Sequence, residues 1–508
     1  MRAIVDRIPR WGLGLALLSY AFRAPALLNA DSTNSDAAIV GLQAMHILRG
    51  ETSPFLWGSG YQTSADSFVA ALFFAVLGPS PWALMLSSLT LHVAATLLVF
   101  SALTRHVGRA SAFVLSLLLV FTSSSIHSYV LYPPRELSLF LAATAFVVID
   151  RAAIDSLPPR RALGYLCAGC IFSTAATAAD PYAMLVAPLS LGFAAWTALR
   201  VWSGKDRMRA TGAAVAGAAI GLLPSVLLKT SAGAKNGPMT LTLSLIPHNA
   251  DLLVRECLPW AMSTKVYYAK HVMDYSPWDA PAWVSAFLFV AAMIFGCALV
   301  MSTRAAFSVP AESRRLGVAG LLVFPVGIAA FLCSVMIMDH FAMRYLAALT
   351  LLTPFALLPL AKRMPTKRLA LLLAPFMLSS AIGGWVGFGP FVRGPIPVRT
   401  AEIADDYALL ALMHEKGLRY GIADYWTAYR LTYLFREDPT FVPTSPREDR
   451  HAQYREAFEK ESRIAYVFDP GRSRENPDDM LRELAQGAQN VEELHAGKIR
   501  MWLITRPR

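Results

Sequence analysis

Long apolar stretches, separated by short polar ones, make up most of the chain. About eleven of them run for about 17 to 23 residues, which lets a helix cross the roughly 30 Å of bilayer hydrocarbon at about 1.5 Å per residue. The pattern predicts an all-α, polytopic membrane domain of about eleven transmembrane helices. The predicted spans are 11–28, 82–103, 110–127, 137–154, 162–179, 182–200, 210–229, 281–303, 316–338, 345–361 and 369–388.

The pattern changes near residue 390. Charged residues become frequent, and apolar runs shorten to strand length, as in IAYVFD and IRMWLIT. Helical stretches such as NPDDMLRELAQGA alternate with these runs, which predicts a small α/β domain. We therefore divide the chain into a membrane domain, 1–389, and a C-terminal extracytoplasmic α/β domain, 390–508.

The composition agrees with a membrane protein. Of the 508 residues, 55% are hydrophobic and 16% are charged, whereas about a quarter are charged in a typical soluble domain. The net charge of +11 would favour a nucleic-acid partner in a soluble protein, but most cations lie between apolar stretches. We therefore expect membrane lipid as a partner and no nucleic acid. The five cysteines are scattered, mostly inside apolar stretches, and predict no disulfide framework.

Every second connection between the predicted spans is basic. By the positive-inside rule these connections are cytoplasmic, which places the N-terminus in the cytoplasm and the C-terminal domain outside. The chain is thus predicted to be a multi-pass protein of the plasma (inner) membrane, with a first outer loop at 29–66 and a long outer loop at 230–280. The basic connections are MRAIVDRIPR, RHVGR, RAAIDSLPPRR, RVWSGKDRMR, RAAFSVPAESRR and AKRMPTKR.

The polar residues that could take part in catalysis or binding all lie on the outer side. A transporter would place ionisable groups near the membrane midplane on broken helices, often in two similar halves, and the sequence has neither feature. Long outer loops that carry acids favour a site at the outer membrane surface instead. The residues at or near outer span ends are Asp31, Asp36, Asp66, Glu136, Asp180, Asp339, His340 and Arg344.

The first outer loop, NADSTNSDAAIVGLQAMHILRGE, is predicted to form a modestly amphipathic helix along the outer interface. Asp36, Gln43, His46 and Arg49 lie on one face of this helix. Asp36 has two interpretations. It could cap the helix N-terminus, which the spacing alone favours, or it could act as a general base that takes a proton from a hydroxyl.

Five segments resemble successive landmarks of the bacterial GT-C superfamily glycosyltransferases, which are related to protein O-mannosyltransferases and to the lipid A aminoarabinose transferase. The resemblance spans nearly the whole chain, and the aspartate of the first outer loop is its most specific element. It implies a membrane enzyme of the GT-C type. The segments are SDAAIVGLQAMHILRGE, WGSGYQTSADSFVAALF, YPPRELSLFL, RYLAALTLLTPFALLPLA and ADYWTAYRLTYL.

The resemblance implies that a hexose or pentose moves from a polyprenyl-phosphate donor to an acceptor hydroxyl of a glycan, lipid or protein at the outer face. Asp36 matches the family's catalytic aspartate and would be the general base of a single inverting displacement. Arg344, in MRYL, is the candidate for binding the donor phosphate, because a planar guanidinium can hold two phosphate oxygens. The alternative is that Arg344 only anchors its helix at the interface.

Further residues are candidates for binding substrate or a divalent metal. Some relatives bind such a metal, but no His/Asp spacing here demands one, so no cofactor is certain. Glu136 and Asp180 are equally explained as helix caps or as partners of a neighbour such as Arg135. The candidates are Asp66, Glu136, Asp180, His46 and His340.

Two other functions stay open. The family commonly has a second acid directly after the catalytic aspartate, where this chain has Ala37. A non-catalytic scaffold of the same fold is therefore one alternative. The other is a flippase or transporter for a lipid-linked glycan.

Two outer segments carry further expectations. The loop 230–280 is rich in aromatic and proline residues and longer than most connections, which suits a lid over a lipid-linked substrate. In DYWTAYRLTYLF, core packing is the default for the aromatic residues, and Arg430 is a candidate for reaching an acidic acceptor.

Overall fold

The structure, a computed structural model, describes residues 10–27, 30–31, 33–153, 157–230, 241–267, 277–387, 401–473 and 475–507. Its larger, N-terminal part is a bundle of apolar helices, and its C-terminal part is built on a five-stranded sheet. The predicted fold class, a helical membrane domain followed by a small α/β domain, is confirmed. The predicted domain boundary at 389/390 lies among residues 388–400, outside the described residues.

Sixteen α-helices are described in the membrane part. They are α1 (Arg10–Leu27), α2 (Ser35–Leu48), α3 (Ala65–Leu77), α4 (Pro81–Val120), α5 (Ser124–Leu131), α6 (Glu136–Ala152), α7 (Pro159–Ala179), α8 (Ala187–Val201), α9 (Gly204–Lys229), α10 (Ile246–Leu252), α11 (Leu258–Ala261), α12 (Ala282–Ala306), α13 (Ala311–Cys333), α14 (Ala347–Ala356), α15 (Leu358–Arg363) and α16 (Thr366–Gly387).

Among the described residues, 7 helices are long and apolar enough to cross a membrane, so the predicted count of about eleven is not confirmed. Two of the predicted spans fall within α4, a 40-residue element that Gly108 breaks at φ 76 and ψ 168. Glycine reaches this positive φ without the strain that a side chain would cause. Two other predicted spans correspond to α6 and α8, which have only 17 and 15 residues.

The C-terminal domain alternates helices with strands. Its sheet has the order β2-β1-β3-β5-β4, in which β1 pairs in parallel with β2 and β3, and β5 pairs antiparallel with β3 and β4. Parallel neighbours need a crossover connection, which α18 provides between β1 and β2. The elements are α17 (Ala401–Glu415), β1 (Tyr420–Ala423), α18 (Tyr425–Leu434), β2 (Thr440–Pro443), α19 (Ala452–Glu459), β3 (Arg463–Phe468), α20 (Pro477–Leu484), β4 (Asn490–Ala496) and β5 (Ile499–Thr505).

The C-terminal domain docks on the first outer loop through α2 and α18. A Cβ atom on Gly41 would collide with the ring of Tyr433, so the glycine lets the two helices approach closely. The Ser35 hydroxyl lies 2.8 Å from the carbonyl oxygens of both Tyr425 and Trp426. Protein covers the polar face of α2, and most residues of the helix are buried. Its place along the membrane interface stays a prediction.

Candidate active site

Asp36 does not cap its helix. The cap of α2 is Asn34, whose side-chain oxygen accepts a hydrogen bond from the backbone N–H of Ala37 at 2.9 Å. Asp36 is the second residue of the helix and is half-exposed. Because a neighbour performs the capping, the carboxylate of Asp36 is left to point at something else.

Tyr425 is the partner of Asp36, although 389 residues separate them in sequence. Its hydroxyl donates a hydrogen bond of 2.7 Å to Oδ1 of Asp36. Tyr425 opens α18 and is 7% exposed, and Asp424 caps this helix by accepting from the N–H of Trp426 at 2.9 Å. Burial, followed by the negative charge of Asp36, raises the pKa of Tyr425 well above its ordinary value. The phenol therefore keeps its proton and acts as a donor.

Arg450 joins this pair to a third segment. One guanidinium nitrogen donates to the Tyr425 hydroxyl at 3.3 Å, and the other donates to the carbonyl oxygen of Gly58 at 3.3 Å. The guanidinium carbon also lies 5.2 Å from the centre of the Tyr425 ring. The backbone N–H of Arg450 donates to the Tyr429 hydroxyl at 2.5 Å. Two segments of the C-terminal domain thus meet the first outer loop beside Asp36.

Asp180 fulfils both alternatives named for it from the sequence. Its Oδ1 accepts from the N–H of Tyr182 at 2.8 Å, which caps the short 3-10 helix Pro181–Leu185. Its Oδ2 accepts from the Gln62 amide at 3.0 Å and lies 3.6 Å from Nε of Arg135. Burial raises the pKa of Asp180, although the Arg135 charge opposes the shift.

Asp66 is buried next to this group, with 4% of its surface exposed. Its Oδ1 accepts a long hydrogen bond, 3.4 Å, from the N–H of Leu137. Its Oδ2 has no hydrogen-bond partner among the described residues. Burial, and next the charge of Asp180, raise the pKa of Asp66 to about 7. A carboxyl with this pKa is partly protonated near neutral pH and can donate as well as accept.

Arg344 reaches the same region from the end of the bundle. The Tyr182 hydroxyl holds its segment by donating to the carbonyl of Tyr345 at 3.2 Å and accepting from the N–H of Ala348 at 2.7 Å. The Arg344 guanidinium lies 5.2 Å from the centre of the Tyr345 ring, and its charge acts on Asp180.

Tyr61 connects the two acid groups. Burial raises the pKa of its phenol, followed by the charge of Asp180, while the charges of Arg135 and Arg450 oppose the rise. Tyr61 is therefore within electrostatic reach of the Asp180 group on one side and the Asp36 group on the other. Tyr61 thus links the group of Asp66, Asp180 and Arg344 to Arg450, which contacts the Asp36 partner Tyr425.

Glu136 points into the bundle. Its Oε1 lies 2.9 Å from Nδ1 of His92, only 2% of the residue is exposed, and its charge acts on the fully buried Arg23. The guanidinium of Arg23 in turn donates to the carbonyls of Ser19 and Leu119. Glu136 therefore belongs to a buried hydrogen-bonded pair with His92 inside the helix bundle.

His46 joins α2 to the C-terminal domain. Its Nδ1 and Nε2 each lie 2.6 Å from a carboxylate, that of Glu51 and that of Glu437 respectively. Arg49 also lies 2.6 Å from Glu437, and the Tyr454 hydroxyl donates to the same carboxylate at 2.5 Å. Burial opposes the charge on His46, but its bonds to Glu437 and Glu51 outweigh burial and raise its pKa. An imidazolium bound at both nitrogens has no lone pair for a metal.

His340 lies in an aromatic cluster with the long outer loop. Its ring stacks on Tyr267 at 5.2 Å between centres, with Trp260 and Phe341 nearby. Within the described ranges, no three His, Cys, Asp or Glu side chains come together as metal ligands would. Neither His46 nor His340 therefore lies in a metal-ligand cluster within those ranges.

Arg430 is a core residue of the C-terminal domain. Its two terminal nitrogens donate to the two carboxylate oxygens of Asp406 at 2.6 and 2.5 Å, and only 1% of the residue is exposed. A guanidinium held in this bidentate way has its charge neutralised inside the domain. Arg430 therefore does not reach an acceptor.

An apolar cavity of about 110 Å³ lies beside the polar region. Aromatic side chains of α12 and α16, including Phe295 and Phe376, form part of its wall. Leu253 and Leu258 of the long outer loop line it as well, so the described part of that loop covers the cavity. Leu346, two residues after Arg344, also lines it.

The sequence did not single out Tyr425 or Arg450. Tyr425 lies within ADYWTAYRLTYL, where the helical pattern assigns the aromatics to a core, and that holds for Tyr429 and Tyr433, which are 1% exposed. Arg450 follows the short 3-10 helix Pro446–Glu448 and belongs to no recognisable motif. One local signal existed, because an aspartate cap at Asp424 places Tyr425 at the first position of a helix.

Comparisons with known proteins agree on the fold. No family model matches the sequence, and no curated protein matches it. The structure of ArnT from Cupriavidus metallidurans bound to undecaprenyl phosphate is 10% identical, with a TM-score of 0.59 over 98% of this chain and 98% of that chain. The Archaeoglobus fulgidus oligosaccharyltransferase in complex with Zn and sulfate is 12% identical, with a TM-score of 0.54 over 90% of this chain and 67% of that chain. The resemblance seen in the sequence is thus confirmed in the architecture, and the chain has the GT-C fold.

Proposed function

We propose that the chain is a membrane glycosyltransferase that moves a sugar from a polyprenyl-phosphate donor to an acceptor hydroxyl on the side of the C-terminal domain. The observation that carries the proposal is the setting of Asp36. Its carboxylate is released from capping by Asn34 and is held at one oxygen by Tyr425. This supports a base with a fixed direction, on the fold that ArnT, described with undecaprenyl phosphate, also has.

In the proposed reaction, Asp36 takes the proton of the acceptor hydroxyl on Oδ2. The acceptor oxygen attacks the anomeric carbon of the sugar as the bond from that carbon to the phosphate oxygen breaks. Attack from the face opposite the phosphate inverts the configuration. The polyprenyl phosphate leaves with the bonding electron pair, and the guanidinium of Arg344 stabilises its charge.

The apolar cavity supports a lipid-linked donor. Its wall of aromatic and aliphatic side chains and its volume of about 110 Å³ suit one isoprene unit of such a lipid. A lipid chain bound there would present its phosphate to Arg344. The long outer loop, which contributes Leu253 and Leu258, would close over the chain.

Asp66 is the second acid that we assign to substrate. Its Oδ2 has no hydrogen-bond partner among the described residues, and its pKa is about 7. Both properties suit a group that binds a sugar hydroxyl. Asp180 holds Arg135 and Gln62 in place around it. The six basic connections support an orientation with this region outside the cytoplasm.

The test is a transfer assay on the purified chain in nanodiscs, with radiolabelled hexoses and pentoses on undecaprenyl phosphate and a membrane extract as acceptor. Release of free sugar by water provides an acceptor-independent readout. Asp36→Asn should lower both rates at least about 100-fold, the usual scale for a general base. Asp31→Asn is the matched control, because Asp31 also accepts from a tyrosine of the C-terminal domain, Tyr407, at 3.0 Å.

The control variant should keep its activity within about two-fold, which is within the scatter of a surface substitution. A flippase or a non-catalytic scaffold would not transfer sugar, and Asp36→Asn would not matter for it. Near-full transfer by Asp36→Asn would show that Asp36 is not the base.

A further inference from the structure

The hydrogen bonds around Tyr425 have only one consistent direction. Arg450 has donors and no acceptor, so the Tyr425 oxygen must accept from it. The single hydroxyl hydrogen of Tyr425 is then left for Oδ1 of Asp36. Asp36 must accept this bond, which fixes Oδ1 as the occupied oxygen and leaves Oδ2 as the one that can take a proton.

The chain of donors also strengthens itself. A phenol that accepts a hydrogen bond from a cation becomes a better donor, and the Arg450 charge acts on both Tyr425 and Asp36. The link is rigid because Tyr425 is buried and begins a capped helix.

Contacts near both ends of α18 hold it against α2, and the N-terminal contact lies beside Asp36. Ser35 lies next to Asp36 in sequence and holds the carbonyls of Tyr425 and Trp426. At the far ends of the two helices, His46 pairs with Glu437. The two contacts fix α18 parallel to α2, so the Tyr425 hydroxyl cannot reach Asp36 unless the C-terminal domain is docked.

Gly58 lets Arg450 approach the backbone of the first outer loop closely. It has φ +72, and a Cβ atom there would collide with Cδ and approach the backbone of Arg450. Gly50, in the same loop, also has a positive φ, +88, but a Cβ atom there would meet nothing within 4 Å. Gly58 therefore serves the approach of the arginine as well as the turn.

We propose that the C-terminal domain completes the reaction centre, with Tyr425 as the positioning residue that orients Asp36 and Arg450 as the residue that fixes the direction of the Tyr425 hydroxyl. This inference rests on the proposed function. It assigns the domain a part in the chemical step, in addition to any part in binding substrate.

The first test compares two tyrosines of the same helix. Tyr425→Phe removes the hydroxyl that contacts Asp36, whereas Tyr433→Phe removes a buried hydroxyl that has no partner among the described residues. We expect Tyr425→Phe to lower kcat about 10- to 100-fold, the range for a lost hydrogen bond to a charged group. The KM for the labelled undecaprenyl-phosphate sugar should change less than about two-fold, since Tyr425 acts on the base.

Tyr433→Phe should leave both kcat and KM unchanged. Hydrogen exchange of α2 and α18 should be the same in both variants, which separates orientation of Asp36 from loss of docking. Equal activity of the two variants would overturn the inference and leave the proposed function standing. An inactive wild-type chain would overturn the proposed function and this inference with it.

The second test compares two glycines. Gly58→Ala should displace Arg450 and lower kcat about ten-fold, whereas Gly50→Ala carries the same backbone strain without the collision and should keep kcat within about two-fold. Arg450→Gln, which needs no change at a strained position, should match Gly58→Ala. Equal losses in the two alanine variants, or full activity in Arg450→Gln, would contradict the role of Arg450.

Discussion

Two clusters around buried or half-buried aspartates lie at opposite ends of the helix bundle, and they differ in how completely their oxygens are occupied. At the end away from the C-terminal domain, Asp150 pairs with Arg105, and both of its oxygens lie within 3.2 Å of Nε2 of His106. At the other end, Asp36 has one oxygen held by a phenol, and Asp66 has one oxygen without a partner in the described chain.

The difference separates structural acids from acids available for chemistry. The Asp150 cluster is closed, since Nδ1 of His106 lies 3.2 Å from the Ser313 hydroxyl and its carbonyl accepts from Lys362 at 2.6 Å. A closed, charge-paired network holds helices together and offers nothing to a ligand. The acids beneath the C-terminal domain keep unused capacity in a polar region that several segments build together.

The largest expected effect is on stability. Asp150→Ala leaves the buried His106 without its carboxylate partner, which should cost about 3 kcal/mol of the free energy of unfolding. Asp36→Asn, at a half-exposed position, should cost less than about 1 kcal/mol. Thermal unfolding in the same detergent measures both. If Asp36→Asn were as destabilising as Asp150→Ala, Asp36 would be a structural acid like Asp150, and the comparison would fail.

The second-largest effect is expected for Arg344→Ala, on activity. Loss of the guanidinium should lower kcat/KM for the labelled undecaprenyl-phosphate sugar about 100-fold, because the departing phosphate loses its cation. Arg344→Lys keeps the charge but not the planar fork, so it should recover only part of the loss. Acceptor affinity should hardly change. Equal losses toward donor and acceptor would argue against a phosphate role.

Asp66 provides a test through pH. Its pKa in the folded chain is about 7, above the ordinary 3.8, so its contribution to stability is full below pH 3.8 and is lost as the pH rises through 7. Asp66→Asn cannot ionise. We therefore expect it to melt a few degrees above the wild type at pH 8 and to differ little at pH 4. A difference that did not depend on pH would show that burial does not raise this pKa.

The smallest effect concerns docking through His46 and Glu437. The pKa of Glu437 is lowered to about 2, and that of His46 is raised. Stability from Glu437 is lost as the pH falls from 4.5 toward 2, and stability from His46 is lost as the pH rises above 6.5 through its raised value. Docking should therefore be tightest between about pH 4.5 and 6.5.

Glu437→Gln should weaken docking by about 1–2 kcal/mol. The measurement is the hydrogen-exchange protection factor of α2, relative to the intrinsic rate at each pH, which should fall in the variant and, in the wild type, above neutral pH. Glu492→Gln is a suitable control because Glu492 pairs with Lys416 within the C-terminal domain. Equal exchange in Glu437→Gln and the control would remove this pair from the docking contact.

The sequence predicts the parts of this account that depend on local pattern. Apolar length predicts the membrane helices, and the changed pattern after residue 390 predicts the α/β domain. The count of about eleven spans is not confirmed, because two predicted spans form one 40-residue element with a break at Gly108, and α1, α6 and α8 are not among the 7 described helices that are long and apolar enough to cross a membrane. Length alone does not reveal how far a helix extends when its neighbours fix its ends.

Some residues of the candidate site could likewise be predicted from local pattern, and others could not. Asp36 and Arg344 stand in motifs that can be recognised along the chain. Tyr425 and Arg450 reach Asp36 only through the docking of two domains, and no local pattern encodes a contact across 389 residues. The burial of the polar face of α2 was not predicted for the same reason, since residues of the C-terminal domain such as Glu437 cover it.

The central claim is that the donor binds beneath the C-terminal domain, with its phosphate at Arg344 and its sugar at Asp36. The most direct measurement is a structure of the chain with an undecaprenyl-phosphate sugar bound in nanodiscs. We predict lipid in the apolar cavity, phosphate oxygens within hydrogen-bond distance of Arg344, and Oδ2 of Asp36 facing the anomeric carbon. A sugar bound away from Asp36, or a phosphate at the Asp150 end of the bundle, would contradict the account.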